Sequence, residues 1–282
     1  MDLEIIYRLQ DLRNAFLDGT FYLITQLGDQ IFFILVAGVL YWTVDKRLAH
    51  KFVFAYMMSA IANTALKNVF KRTRPFYYPG VESEPSWRTT GYSFPSGHAQ
   101  ASGVLGYTAY HIAKKYDKKY FSWIGLFIMI MVPLSRMYLG QHFLTDVIVG
   151  LFLALGLTYL SFKLVDKMGN DEHIYTLMLA PLFIAALLLF PHHDLAVGAG
   201  GFVGFAAGYY VEKKFIGYDV SAKMWVQVLK VLLGLAVAMI IKEGLKLVFP
   251  ELIFFDFVRY LLIGGWAALG APVTFKYVFK HR

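Results

Sequence analysis

The chain has 282 residues, of which 58% are hydrophobic and only 16% charged, with a mean hydropathy of +0.53. Soluble domains carry roughly 25% charged residues, so this composition excludes an ordinary soluble protein and points to a membrane protein. The formal charge of +8 gives no reason to expect nucleic acid as a partner, because the basic residues fall in short clusters between apolar runs, and the absence of cysteine excludes disulfides, thiol nucleophiles and thiolate metal sites.

Residues 1–17 lack the basic start and apolar run of a cleavable signal, so insertion is expected to rely on the spans themselves. Ile5, Leu9, Leu12 and Phe16 recur at helical spacing opposite Asp2, Arg8, Asp11 and Arg13, which predicts a helix in the membrane interface over residues 1–20. A first span over 21–44 is interrupted by Thr25, Gln26, Asp29 and Gln30, polar groups that inside a span face a bundle interior or a wet cavity. The second span, 52–70, contains Asn63, read as an interhelical hydrogen-bonding residue. In the polar loop 71–95, Tyr77, Tyr78 and Trp87 suit interfacial anchors.

A third span begins at His98 and ends in Lys114, Lys115, Lys118 and Lys119, and a fourth, 120–137, carries Pro133, which is expected to kink its end. The fifth, 142–165, puts His142 and Asp146 one turn apart on one helix face. Segments 174–190, 195–211, 225–249 and 257–279 are each near the roughly 20 residues that cross a bilayer, which makes about nine spans. Residues 200–215 echo 101–116, both ending in Lys-Lys and an aromatic ring, as a decayed repeat or two Gly-rich spans alike by chance would. With the N-terminus outside, 16 of the 27 basic residues fall on the inner side. Loop charge therefore favours an outer N-terminus and an inner C-terminus.

Three motifs stand in order. Lys67 to Pro75 reads KxxxxxxRP, Tyr92 to Ser102 reads YSFPSGHAQAS, and Ser135 to Asp146 reads SRxxxxxHxxxD. Pro95 ends an extended approach and Ser96 is a good N-cap, so His98 is expected in the first turn of a helix. The free backbone N–H groups and dipole there make Ser96, Gly97 and His98 a cradle for an anion, and Gly97 lets that anion come close. On the outer-N-terminus layout, all three motifs fall on the outer face.

Together the motifs closely resemble the three-part signature of the type 2 phosphatidic acid phosphatase superfamily, which also takes in glucose-6-phosphatase-like enzymes and vanadium haloperoxidases. The resemblance covers Lys67 to Asp146, extends as a helical core to about Lys167, and leaves the last third of the chain uncovered. It implies an all-α polytopic membrane bundle with a haloperoxidase-like phosphatase core over 21–167, followed by C-terminal spans over 168–282. It also implies that His142 is the nucleophile and His98 the general acid. Asp146 would hold the His142 tautomer, and Lys67, Arg74, Ser96, Gly97 and Arg136 would bind phosphate.

That chemistry suits the residue types. A transferring phosphoryl group spreads charge over three oxygens, which needs fixed cations and N–H donors. Guanidinium forks bind phosphate bidentately while Lys67 acts as a point charge. No carboxylate cluster accompanies the motifs, so neither a metal nor another cofactor is expected. His192, His193 and Asp194 form a possible metal trio that reads better as a hydrated turn; His111, Lys242, Glu243 and Lys246 read as bundle-interior or helix-end residues, with Lys242 and Lys246 able to meet an anionic headgroup.

The leading expectation is a cell-membrane phosphatase whose site lies on the extracytoplasmic face and whose substrate is a lipid phosphate or diphosphate: a prenyl diphosphate, phosphatidate or phosphatidylglycerol phosphate. The alternatives are a phosphatase of a soluble phosphomonoester such as a sugar phosphate, a lipid phosphotransferase and, outside enzymes, a transporter or flippase. A carrier, however, has no need for two histidines and an aspartate at this spacing.

Overall fold

The computed structural model describes residues 2–83 and 91–279, so Trp87 lies outside the described residues. Among them the chain is all-helical, with no strand, and runs α1 Asp2–Gln10, α2 Ala15–Thr25, α3 Gln30–Val39, α4 Lys46–Phe70, α5 Gly97–Tyr116, α6 Tyr120–Tyr138, α7 Leu144–Lys167, α8 Glu172–Met178, α9 Ala180–Leu189, α10 His193–Val211, α11 Met224–Val248, α12 Ile253–Gly265 and α13 Ala271–Val278. Five segments are long and apolar enough to cross a membrane: α6, α7, Gly169–Leu189, α11 and Ile253–Val278. A sixth is the bent pair Ala15–Gly28 and Gln30–Val44. The protein is thus a multi-pass membrane protein. A helix stands at each of the nine expected positions, but α4, α5 and α10 do not join the five or six by length and composition. Half of α5 is buried by protein, and a helix with protein neighbours does not need a lipid-facing sequence.

The chain divides into two compact units, residues 1–33 with 58–161 and residues 34–57 with 162–282.

In the first unit α5 packs against both α6 and α7. Gly106 and Gly125 bring α5 and α6 together, and Gly103 admits Ala154 and Leu151 of α7. The expected single helix over 1–20 is two helices, because Asn14 caps α2 by accepting from Leu17 N at 3.0 Å. α1 packs on the rest of the unit, its Ile6 fully buried against Ala99, Met137, Phe143 and Val147. Tyr7 also donates to Pro79 O at 2.7 Å, and Gln10 exchanges bonds with Glu82 at 2.6 and 2.9 Å. The first span breaks at its polar interruption, where the 3-10 turn Gln26–Gly28 separates two helices bent by 53°. Pro133 lies inside α6, which continues to Tyr138.

In the second unit α10 packs on α12 along Gly200, Gly204 and Gly208, whose missing side chains leave room for Phe257 O, Leu261 O and the Ala268 side chain. This is the small-xxx-small spacing of close membrane helix pairs. The two segments that echo each other, 101–116 and 200–215, each contain a helix whose glycines admit a neighbour. Three π-helical turns, Leu40–Val44, Glu212–Ile216 and Trp266–Gly270, meet through side chains. Tyr41 donates to Ala268 O at 3.2 Å and to Glu212 at 3.3 Å, and Trp42 donates to Ala267 O at 2.8 Å. Fully buried Glu212 also takes Lys46 at 2.9 Å and Tyr218 N at 2.8 Å, so its charge is matched and its oxygens satisfied.

Candidate active site

The site is assembled from the polar ends of helices in the first unit. After α4, Lys71 turns the chain with a φ of 46°, and the extended segment that follows pairs with the approach to α5 through Ser93 N donating to Arg72 O at 2.8 Å. Asn63 reaches from α4 to donate to Pro95 O at 3.0 Å, so it fixes this approach rather than a neighbouring helix. Ser96 is the N-cap of α5, its Oγ accepting from Ala99 N at 3.4 Å, and His98 sits in the first turn as the sequence predicts. The cap is tied to α7 as well, because Ser96 N donates to Asp146 O at 3.0 Å. Gly150 permits that approach: a Cβ there would stand 2.7 Å from Ser96 O.

The broken first span forms another wall. Thr25 accepts from Arg136 Nη1 at 2.8 Å, and Gly28 lies so close to His98 that a Cβ would meet its ring at 3.0 Å. Thus Thr25 is one of the inward-facing polar groups that the sequence leads one to expect.

His142 does not begin the fifth helix, as expected, but precedes it. Gly140 turns the chain at a φ of 67° and His142 N donates to Arg136 O at 3.2 Å. The helix starts at Leu144 because the Asp146 carboxylate reaches back to Phe143 N at 2.9 Å, one half of a capping box. Even so, His142 and Asp146 meet, with Nδ1 3.6 Å from Oδ2.

Arg74, 3% exposed, donates through Nε to Gly91 O at 2.9 Å and through Nη1 to Gln141 O at 3.2 Å. The same Nη1 lies 3.1 Å from His142 Nε2. A guanidinium has only donors, so this contact assigns the lone pair to Nε2 and the ring proton to Nδ1. Nδ1–H then faces Asp146 Oδ2 and the Ser93 hydroxyl, 3.4 Å away. Burial first, then the nearby cations of Arg74, Arg136 and Lys67, push the His142 imidazole well below its ordinary value, which favours the neutral ring. The charges of Lys67, Arg74 and Arg136 also reach His98.

The eight expected site residues therefore belong to one unit, and distances tie Arg74 to His142, His142 to Asp146 and Asp146 to Ser96. Thr25 joins them as an expected inward-facing polar group, and Arg72, Ser93 and Gly28 join them without a predicted role. A third basic residue inside the first motif, and a serine three positions before Ser96, were the available signals for Arg72 and Ser93. Of the other candidates, His193 pairs with Asp256 at 2.7 Å and Lys242 with Glu243 at 2.6 Å. Tyr77 is exposed, and Tyr78 sets its ring edge on Phe143.

Helical membrane segments and a histidine with buried arginines beside it define a polytopic membrane protein with basic side chains gathered inside its first unit. Residues 48–169 match the model of the PAP2 superfamily, and residues 196–280 match that of the PAP2 superfamily phosphatase transmembrane extension. Phosphatidylglycerophosphatase B of Bacillus subtilis is 33% identical over 177 residues, covering 58% of this chain and 79% of that protein. The chain belongs to the PAP2 superfamily. Sphingosine-1-phosphate phosphatase 2 of Mus musculus is 23% identical over 221 residues, 71% of this chain and 62% of that protein, and undecaprenyl-diphosphatase of Sulfolobus acidocaldarius is 27% identical over 170 residues, 59% and 79%. The chain thus spans less than two thirds of the length of the mouse sphingosine-1-phosphate phosphatase.

Proposed function

We propose that this protein is a phosphoric ester or anhydride hydrolase of the membrane that removes phosphate from a lipid phosphate or diphosphate through a phosphohistidine. The observation that carries the reading is the orientation of His142, whose lone-pair nitrogen faces the Arg74 guanidinium while its proton faces Asp146.

In the first step Nε2 of His142 attacks phosphorus, the bond from phosphorus to the lipid oxygen breaks, and protonated His98 gives its proton to that oxygen. Arg74 must swing from Nε2 to the phosphoryl oxygens, where it, Arg136 and Lys67 balance the charge beside the Ser96, Gly97 and His98 cradle. Water then attacks the phosphohistidine, neutral His98 takes the water proton, the P–N bond breaks, and phosphate leaves with both rings restored. Asp146 holds the Nδ1 proton throughout. The mechanism draws on no metal or cofactor.

The lipid reading is supported by the site's position at helix ends and by relatives whose names specify lipid phosphates. We further propose nine spans, with the motifs on the extracytoplasmic face of the cell membrane as the loop charges favour. The test is phosphate release by purified protein from dioctanoyl phosphatidate, phosphatidylglycerol phosphate, farnesyl diphosphate, sphingosine 1-phosphate and glucose 6-phosphate in detergent micelles. The highest kcat/KM is expected on one of the lipids. A higher value on glucose 6-phosphate would overturn the lipid reading, and no release from any of them would overturn the hydrolase.

A further inference from the structure

Asp146 is fully buried, and a buried carboxylate requires both a countercharge and a full set of donors. Arg72 supplies the countercharge. Its Nη1 donates to Asp146 Oδ1 at 2.7 Å, leaving Oδ2 to Ser93 Oγ at 2.5 Å, to Phe143 N at 2.9 Å and to the His142 side.

Arg72 is itself held from several directions. Nη1 also reaches Thr145 Oγ1 at 2.6 Å, Nη2 donates to Asp2 Oδ2 at 3.0 Å, and the guanidinium lies 4.1 Å above the Phe143 ring. Thr145 closes the ring of contacts by donating to Asp2 at 2.6 Å. The fork is thus turned toward two carboxylates and away from the role of a phosphate ligand.

Resting on the hydrolase reading above, we infer that Arg72 is a positioning residue for the reaction: with Ser93 it holds the Asp146 carboxylate so that Oδ2 faces His142 Nδ1, and Asp2 of α1 braces it from the other side. The N-terminal helix is then part of the catalytic support. A lysine in place of Arg72 keeps the charge and can keep one contact, but it cannot hold Asp146 and Asp2 with separate arms of one plane.

The test compares Arg72→Leu, Arg72→Lys, Asp146→Asn and the double variant Arg72→Leu/Asp146→Asn, with dioctanoyl phosphatidate as substrate and wild-type elution required of each. Arg72→Leu should lower kcat and kcat/KM together, on the order of 10²-fold, the scale of a positioned acid–base partner, with KM within about twofold. Arg72→Lys should recover part of that loss. In the Asp146→Asn background, Arg72→Leu should cost less than about threefold more, because the group it positions is already altered. A raised KM with unchanged kcat would make Arg72 a phosphate ligand and overturn the inference, as would losses that multiply in the double variant. Nitrogen chemical shifts of ¹⁵N-histidine-labelled protein give a readout that needs no turnover. The Nδ1–H tautomer of His142 should dominate in wild type and be lost in Arg72→Leu; an unchanged tautomer in that variant overturns the inference even if wild type proves inactive on every substrate, a result that would by itself count only against the hydrolase.

Discussion

The seat of the Ser96–Gly97–His98 turn on α7 can be tested with one methyl group. A Cβ at Gly150 would stand 2.7 Å from Ser96 O and 3.3 Å from Ser96 N, whereas ordinary contacts begin at 3.4 Å. The obstacle is backbone, so about 0.7 Å of separation must come from moving the turn or the helix. Ser96 O also accepts from Gln100 N at 3.1 Å and Ser96 N donates to Asp146 O at 3.0 Å, so the displacement passes directly to the cradle and to the Asp146 backbone. A 1 Å misplacement of reacting groups costs on the order of 10²-fold in rate, so Gly150→Ala should lose about 10- to 100-fold in kcat/KM. The overpacking should destabilise by about 1–3 kcal/mol, which leaves the protein foldable. Gly156→Ala, on the same helix, is the control: nothing lies within 4 Å of its Cβ, and removing a helical glycine should stabilise by about 0.5–1 kcal/mol. Both variants are assayed for kcat/KM on the best lipid substrate and for loss of activity on heating. Gly150→Ala within about twofold of wild type, or Gly156→Ala equally impaired, would refute the rigid seating of the turn.

Arg74→Lys and Arg136→Lys should each lower kcat/KM by roughly 10²-fold or more with the fold intact, because the fork is lost though the charge stays, and near-normal turnover in either would remove that residue from the clamp. His142→Ala should abolish a trapped acid-labile phosphoenzyme, whereas His98→Ala should slow its formation least for substrates with good leaving groups; ³²P on protein lacking His142 would mean a different nucleophile. Vanadate should inhibit competitively, its trigonal-bipyramidal form resembling the transferring phosphoryl group, and non-competitive inhibition would count against this clamp. Glu212→Gln should leave Lys46 without its buried partner and cost about 3 kcal/mol, the lower end for a broken buried pair because Lys46 is 24% exposed, read as faster thermal inactivation with kcat unchanged.

What the sequence made legible follows from where the relevant information sits. The five or six spanning segments were readable because apolar runs of spanning length are local, and Ser96 as a cap because proline, serine and small residues stand side by side. Asp146 shows the limit of such reading. Its spacing of four from His142 suggested a shared helix face, yet the carboxylate caps Phe143 N, the helix starts later, and the two residues meet from a turn and a helix. The same carboxylate therefore sets the helix start and faces the candidate nucleophile, two roles that spacing cannot separate. Arg72 was less legible still, because its meaning depends on partners 70 and 74 residues away, Asp2 and Asp146, and on the Phe143 ring beneath it. In KxxxxxxRP it is one of the unspecified positions, beside an exposed Lys71 of the same charge. The difference between them is made by the left-handed turn at Lys71 and the pairing of Arg72 O with Ser93 N, which set Arg72 against α7. Charge type alone could not distinguish the two neighbours; backbone geometry at the end of α4 does, and it makes an N-terminal residue, Asp2, a neighbour of the candidate catalytic groups.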